Sequence, residues 1–349
     1  MSVAPTPAPL HPRQALFEAG EALPALPVCD HYAGVEARMR KSLALQAELG
    51  ERYGRAVFDA TLDGEDGAPV GGEHEHALLI AELVNSADNR YDRVGARVHP
   101  VRHAAFDDEV HTLLSRCGQR LAYLMVPKPG DAADVAEACR RIDAIARDVG
   151  LARQVPVHVL VETHGALRDV WQIAAHPRVE SISFGLMDFV SAHRGAIPAH
   201  GMSAEGQFRH PLVLRAKIEI AAAAHAAGKT PSHCVVTEFN DLDALRAAAR
   251  KAARELAYTR MWSIHPNQIL PIVEAFAPDE QDVEDAAAIL LAAQAAGWGP
   301  VRHRTRGKDT LHDRASYRYY WHVLERAHRT GRPLPPEARS HFFPETDTP

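Results

Sequence analysis

The sequence predicts an α/β barrel of eight parallel strands followed by a C-terminal helical extension, and three observations predict it. Short β-branched apolar runs recur up to residue 264, Ala/Leu-rich segments of helical period separate them, and charged or imidazole side chains follow most of the runs. The first two alternate as parallel α/β proteins do, because a crossover between parallel strands needs a connection long enough to be a helix. Eight such runs are the number that closes a barrel of the TIM (β/α)8 type.

The runs lie at 24–29, 55–62, 92–98, 121–127, 156–161, 179–185, 233–237 and 258–264. Prolines interrupt the first, and a proline withholds its N–H from a ladder. In the fifth, Val157, Val159, Leu160 and Val161 read as a strand buried on both faces. Val35 to Leu49, His76 to Ser86, Asp131 to Val149, Leu212 to Ala227 and Leu242 to Leu256 read as the helices between them. Asp131 and Asp241 are placed as N-caps, and Gly150 and Gly228 as C-terminal stops. After residue 265 the pattern holds helices only, 279–296 and 312–329, joined by a basic segment with Arg302, Arg304, Arg306 and Lys308 that reads as a solvated loop. The organisation expected is a flexible Pro/Ala-rich arm over 1–22, a barrel domain over 23–276, the helical extension over 277–330 and an irregular tail over 331–349.

Composition narrows the function. The chain has 349 residues, 46% of them hydrophobic and 24% charged, with a formal net charge of -6, which argues against a partner with a phosphate backbone such as nucleic acid. Its four cysteines, Cys29, Cys117, Cys139 and Cys234, are scattered without a C-x-x-C pair, as in a reducing cytoplasmic setting. No stretch of eighteen apolar residues occurs and the N-terminus lacks signal-peptide features, so no membrane association is expected.

Barrel active sites are assembled at the C-terminal ends of the strands, and the residues there form a coherent set. Asp63, Glu65 and Asp66 follow the second run, Arg97 and His99 close the third, Lys128 follows the fourth and Glu162 ends the fifth. Asp188 in FGLMDF, Glu238, and His265 in SIHPNQI follow the last three. Singly, each reads as a surface group near a strand end. Collected into one ring, several carboxylates would repel one another unless cations balance them. Arg97 and Lys128 supply part of that balance, and Glu162 with Asp188 suits a divalent ion, Mg²⁺, which prefers hard oxygen ligands and keeps open water positions. The GEHEH stretch, by contrast, reads as a solvated helix start, because helix positions two apart face away from each other. His164 and Gly165 could open an anion-binding helix or form a plain turn. Cys234 reads as a core residue. A phosphate-binding G-x-x-x-x-G-K-[ST] loop, a G-x-S-x-G elbow and a dinucleotide fingerprint are all lacking.

At LDGEDGA, RVH, VPK, VETHG, FGLMDF and SIHPNQI, in that order over residues 55–330, the chain resembles the citrate lyase β-subunit and malyl-CoA lyase superfamily, also called the HpcH/HpaI aldolase superfamily. HYAGVEARMRKSLALQ further resembles a divergent branch of carbon–carbon bond lyases of the barrel fold. The resemblance implies a TIM barrel in which Glu162 and Asp188 hold Mg²⁺, with Mn²⁺ as an alternative, and in which Arg97 and His265 meet the substrate. Supporting catalytic roles are implied for Asp63, Glu65 and Lys128. The implied reaction forms or breaks a bond between a 2-oxo acid and the α-carbon of an acyl thioester, as in malyl-CoA or citryl-CoA. DRASYR resembles a segment that covers a neighbouring subunit's site and lends it an aspartate, with Asp313 the best match and Asp309 a poorer one. A homo-oligomer, trimer or hexamer, is therefore expected, and Tyr317, Tyr319, Tyr320 and Trp321 form an aromatic cluster of interface type.

Three departures accompany the resemblance. LPVCDHYAG stands where the superfamily carries a Val-Pro-Gly turn, His99 replaces an asparagine, and Arg260 or Met261 replaces a lysine near the barrel mouth. They leave open a metal-dependent 2-oxo acid aldolase that works without coenzyme A, using His99 as base. A non-catalytic metal-binding barrel is the other alternative, and the presence of Glu162, Asp188, Arg97 and Asp313 together speaks against it.

Overall fold

The computed structural model describes residues 10–18, 26–68, 70–305 and 308–344. Positions 1–9 and 19–22 of the arm, 24–25 of the first run, Arg306 and positions 345–349 of the tail lie outside the described residues. The chain divides into two compact units, Leu23–Phe276 and a second made of Met1–Ala22 with Ala277–Pro349.

The larger unit is a closed parallel barrel of eight strands in sequence order. Its strands are β1 (Cys29–Ala33), β2 (Asp59–Asp63), β3 (Val94–Arg97), β4 (Leu121–Val126), β5 (Val157–Val161), β6 (Val179–Phe184), β7 (Thr230–His233) and β8 (Arg260–Ser263). Closure is made where β1 pairs with both β2 and β8. Helices alternate with the strands, giving the TIM fold. Aliphatic side chains such as Val94, Val157, Val159, Val161 and Ile182 join one continuous core with inner helix residues such as Val110, Val135, Ile220 and Leu245. The caps follow the chemistry: Asp131 accepts from the Asp134 N–H and Asp241 from the Ala244 N–H, while Gly150 and Gly228 take φ of 71° and 65° just past their helices.

Two strands begin elsewhere than the apolar pattern suggests. β1 starts at Cys29, past the prolines that interrupt 24–29. β7 ends at His233, and the carbonyls of Val235 and Val236 are taken by the Gln207 and Gln268 side chains instead of a ladder. The apolar run at 233–237 thus overlaps β7, which begins at Thr230, only at His233.

A buried charge layer crosses the barrel interior. Arg260 opens β8 and contacts Asp59 on β2 at 2.6 Å and Asp30 on β1 at 3.1 Å, while Tyr123 on β4 reaches Asp30 and Thr61. Arg93 adds a second, bidentate partner for Asp59. Arg260 is thus a fully buried residue at the N-terminal end of its strand, not one near the mouth, because β8 begins with it.

The smaller unit has its own core, in which helices Glu280–Ala295 and Arg314–Thr330 pack through Ile289, Leu290, Tyr317, Trp321 and Leu324. It is not helical throughout. The basic segment forms an antiparallel hairpin of β9 (Val301–Thr305) and β10 (Lys308–His312), whose alternation turns His312 inward and Leu311 outward. Within the expected arm, a short helix Pro12–Leu16 buries Leu16 in this core, and within the expected tail a helix Pro336–Phe342 buries Phe342. The aromatic cluster is split: Tyr317 and Trp321 are spent on the unit's own core, and Tyr319 is 61% exposed. Among the described residues no helix is long and apolar enough to cross a membrane, and all four cysteines are buried and free.

Candidate active site

Register builds the first part of the site. Asp63 and Arg97 are paired positions at the last residues of β2 and β3, so their side chains leave the sheet side by side. Arg97 Nε donates to Asp63 Oδ1 at 2.6 Å and Nη2 to Oδ2 at 2.9 Å, a two-point ion pair with both side chains buried. The following loop closes on the same carboxylate, the Glu65 and Gly67 N–H groups donating to it. Burial pushes the Asp63 carboxyl up to about 7, against the pull of those N–H donors; the bidentate guanidinium also favours the charged form. Burial likewise lowers Arg97, to about 10, which leaves it cationic at neutral pH.

Tyr32, on β1, completes this corner. Its hydroxyl donates to Asp63 and accepts from Arg97 Nη2, its ring lies 4.7 Å from the guanidinium, and it also stacks with Trp262 at 5.4 Å.

The second part is Lys128, two residues past β4 and held at φ 47°, an uncommon backbone for a residue with a side chain. Its Nζ reaches Glu65 at 2.5 Å and Asp66 at 2.6 Å, with Asp188 at 3.8 Å. Burial works against the ammonium, but Asp66 and Glu65 hold it above its ordinary range. Glu65 also lies 3.1 Å from Arg97 Nη1, so one carboxylate joins both cations.

The third part is Glu162 with Asp188. β5 and β6 are in register through Val161 and Phe184, which places Glu162 beside Gly185. A Cβ on Gly185 would collide with the Glu162 carboxylate, so the glycine makes its room. Glu162 is 2% exposed and accepts from the Lys128 N–H at 2.9 Å through Oε1. Burial, then the charge of Asp188, raises its carboxyl to about 8. Asp188 does not close a strand but stands in the first turn of helix Leu186–Ser191, its side chain 43% exposed.

Six expected residues, Asp63, Glu65, Arg97, Lys128, Glu162 and Asp188, therefore share one linked cluster at the strand ends. Asp63 and Glu65 are neutralised within 3.1 Å, whereas Glu162 has no cationic side chain in hydrogen-bond contact. A divalent ion fits that imbalance. Among the described residues no three His, Cys, Asp or Glu side chains are grouped as ligands. Glu162 and Asp188 would supply two hard oxygens, leaving the other positions to water and substrate, the manner in which Mg²⁺ is bound.

The remaining candidates fall differently. His265 follows β8, accepts from the Asn267 N–H and stacks on Phe239 at 5.3 Å. His99 is gripped by Glu109, through Nδ1 at 2.6 Å and its own N–H, and stacks on His103. Glu238 accepts from the Ala204 N–H at 2.8 Å and fastens a loop. Asp313 belongs to the other unit, where it is exposed and caps helix Arg314–Thr330.

A model of the HpcH/HpaI aldolase/citrate lyase family matches residues 44–266. The chain belongs to that family. Family membership makes it one of the carbon–carbon lyases, and the relatives are consistent. An L-malyl-CoA/beta-methylmalyl-CoA lyase of Cereibacter sphaeroides is 31% identical over 71% of this chain and 81% of its own length. A crystal structure of a citrate lyase from Burkholderia xenovorans LB400 is 53% identical, covers 95% of this chain and 99% of its own, and superposes with a TM-score of 0.81. The citrate lyase β subunit of Mycobacterium tuberculosis, complexed with oxaloacetate and magnesium, is 21% identical over 73% of this chain and 98% of its own, with a TM-score of 0.56, and shares the fold.

Within the HpcH/HpaI family pattern, sequence reasoning missed Tyr32. It sits in LPVCDHYAG, the stretch where the family turn is replaced, and the usable signal was the glycine after Ala33. A Cβ on Gly34 would collide with the backbone of Gly67, so the end of β1 and the Asp63 loop touch directly.

Proposed function

We propose that this chain is a Mg²⁺-dependent lyase that cleaves or forms the carbon–carbon bond between a 2-oxo acid and the α-carbon of an acyl-CoA thioester, through an enolate. The observation that carries this reading is the buried Glu162 near Asp188, which has no cationic side chain in hydrogen-bond contact, in a mouth where Asp63 and Glu65 are paired with Arg97 and Lys128. The malyl-CoA lyase relatives support the substrate class.

A bound divalent ion would supply charge neutralisation and Lewis-acid polarisation of a 2-oxo acid's keto oxygen. The chain's own residues do the rest. Arg97, fixed by Asp63 and Tyr32 through Nε and Nη2, keeps Nη1 outside those bonds for the developing enolate oxygen, which it stabilises without reorganising. Lys128 positions the Glu65 carboxylate and, through its backbone N–H, Glu162. A carboxylate outside this ring moves the proton, and Asp313, lent by a neighbouring copy in a homo-oligomer, is the candidate. His265 lines the substrate side of β8.

One observation favours a second reading, a metal-dependent aldolase that takes free 2-oxo acids without coenzyme A. The end of β1 is filled by Tyr32, in contact with both Trp262 and Arg97, where the resemblance places a Val-Pro-Gly turn in the family. His99 is a poor base for it, since Glu109 already occupies its Nδ1.

The deciding experiment incubates the protein with Mg²⁺ and a panel of 2-oxo acids, with and without acetyl- or propionyl-CoA, and follows product and thermal stabilisation. Product that requires the thioester supports the leading reading. Product from 2-oxo acids alone supports the second, and no product or stabilisation with any member removes both.

A further inference from the structure

The geometry points to Tyr32 as the positioning residue of Arg97 and, through it, as a determinant of what the site accepts. The inference starts from the donors of one guanidinium. Arg97 carries five N–H groups. Nε donates to Asp63 Oδ1, and Nη2 donates both to Asp63 Oδ2 and to the Tyr32 hydroxyl, so three donors are committed on one edge. Only Nη1 remains, and Glu65 stands 3.1 Å from it on one side. A substrate thus meets Arg97 through Nη1 and a single oxygen. The fork that would clasp a carboxylate in two-point fashion is closed by the protein itself.

Tyr32 closes the second half of that fork. Its hydroxyl is bonded to both members of the ion pair, which fixes rotation about the Arg97 Cζ–Nη2 edge, and its ring supports the guanidinium face at 4.7 Å. The ring is itself held by Trp262, which stacks with it at an interplanar angle of 21° and donates to Ser183 at 3.1 Å. On the loop side there is no slack either, because a Cβ on Gly67 would lie 3.2 Å from the Tyr32 ring and hydroxyl. Two strand ends, β1 and β8, are thereby committed to holding an arginine that belongs to β3. The consequence is selectivity for a developing single oxyanion, of enolate type, over a second carboxylate at this corner.

The test uses the intact chain and two variants. Tyr32→Phe keeps the ring and removes the hydroxyl; Tyr32→Ala removes both. In substrate-free protein labelled with ¹⁵N-arginine, with Arg97→Lys to assign the signals, the wild type should show distinct, slowly exchanging Arg97 Nη resonances. Tyr32→Phe should merge them, and this readout needs no substrate. With a substrate found as described above, on which this kinetic arm rests, Tyr32→Phe should lower kcat by roughly 10- to 100-fold, through loss of the hydroxyl's hydrogen bonds to Arg97 and Asp63, with KM changed by no more than about twofold. Tyr32→Ala should lose more and bind dicarboxylic 2-oxo acids relatively better, the fork being open. Unchanged Nη resonances in Tyr32→Phe overturn the positioning role. Failure of the wild type to turn over any substrate removes the lyase reading alone and leaves the resonance test decisive.

Discussion

Arg97 and Asp63 are paired in register at the ends of β3 and β2, and Asp63 takes the Nε and Nη2 edge of the guanidinium at 2.6 and 2.9 Å. The arginine proposed to meet the substrate is therefore held by the protein itself. Arg97→Lys gives the site a point charge that cannot bond Asp63 twice and still face the mouth. Turnover should fall on the order of 100-fold, while the melting temperature shifts by only a few degrees. Steady-state kinetics beside calorimetric melting checks this, and near-native turnover would make Arg97 merely structural.

Asp63→Asn leaves the buried guanidinium without its compensating charge. Removing one partner of a buried pair costs about 3 to 5 kcal/mol of stability, so urea denaturation should show a large drop in midpoint. A small drop would mean that Glu65 takes over the ion pair.

Gly185→Ala tests the room made for Glu162. The added methyl meets the carboxylate and its Cβ, so Glu162 must move. Mg²⁺ affinity should weaken by about tenfold or more, a loss of the size seen when metal-site supports are removed, with the fold retained in circular dichroism. Native affinity in this variant would place the ion elsewhere.

Lys217 predicts a pH dependence remote from the site. Fully buried on helix Pro211–Ala226, it donates to Gln207 at 2.6 Å, lies over the Phe208 ring, and is pulled by burial from 10.5 down to about 8. Between those values the unfolded chain holds more protons than the folded one, so this group makes stability rise with pH from about 8 to 10.5 and leaves it flat below 8. Lys217→Met should abolish that rise and raise stability at pH 7 by on the order of 2 kcal/mol. Denaturation across pH checks it; a variant less stable at pH 7 would show that the Gln207 and Phe208 contacts outweigh the buried charge.

Asp313 is tested by mixing. If a neighbouring copy supplies it, inactive Asp313→Ala and Glu162→Gln chains should regain part of the activity once exchanged, because some sites then combine two intact halves. Exchange is verified by mass spectrometry. No recovery after exchange puts Asp313 in its own chain's site or outside catalysis.

The barrel and much of the candidate ring were legible for a physical reason. Parallel strands are buried on both faces, so a charged residue such as Glu162 or Arg97 at the end of an apolar run stands out against its neighbours. Register was not legible. Arg260 lies close in sequence to the histidine-proline pair at the mouth, but it is the first residue of β8, which puts it in the charge layer with Asp59 and Asp30. Tyr32 escaped because its strand begins after prolines and its partners lie 31 and 65 positions away in sequence. The hairpin of the smaller unit escaped because its alternating residues are charged instead of apolar, so its period carries no hydrophobic signal.

The central claim is that Glu162 and Asp188 together hold the metal. Isothermal titration of Mg²⁺ into the wild type and into Glu162→Gln, each saturated with oxaloacetate, tests it most directly. The wild type should bind a single ion per chain, and the variant should bind it at least about tenfold more weakly with its fold unchanged. Equal Mg²⁺ affinity in the two proteins would contradict the assignment.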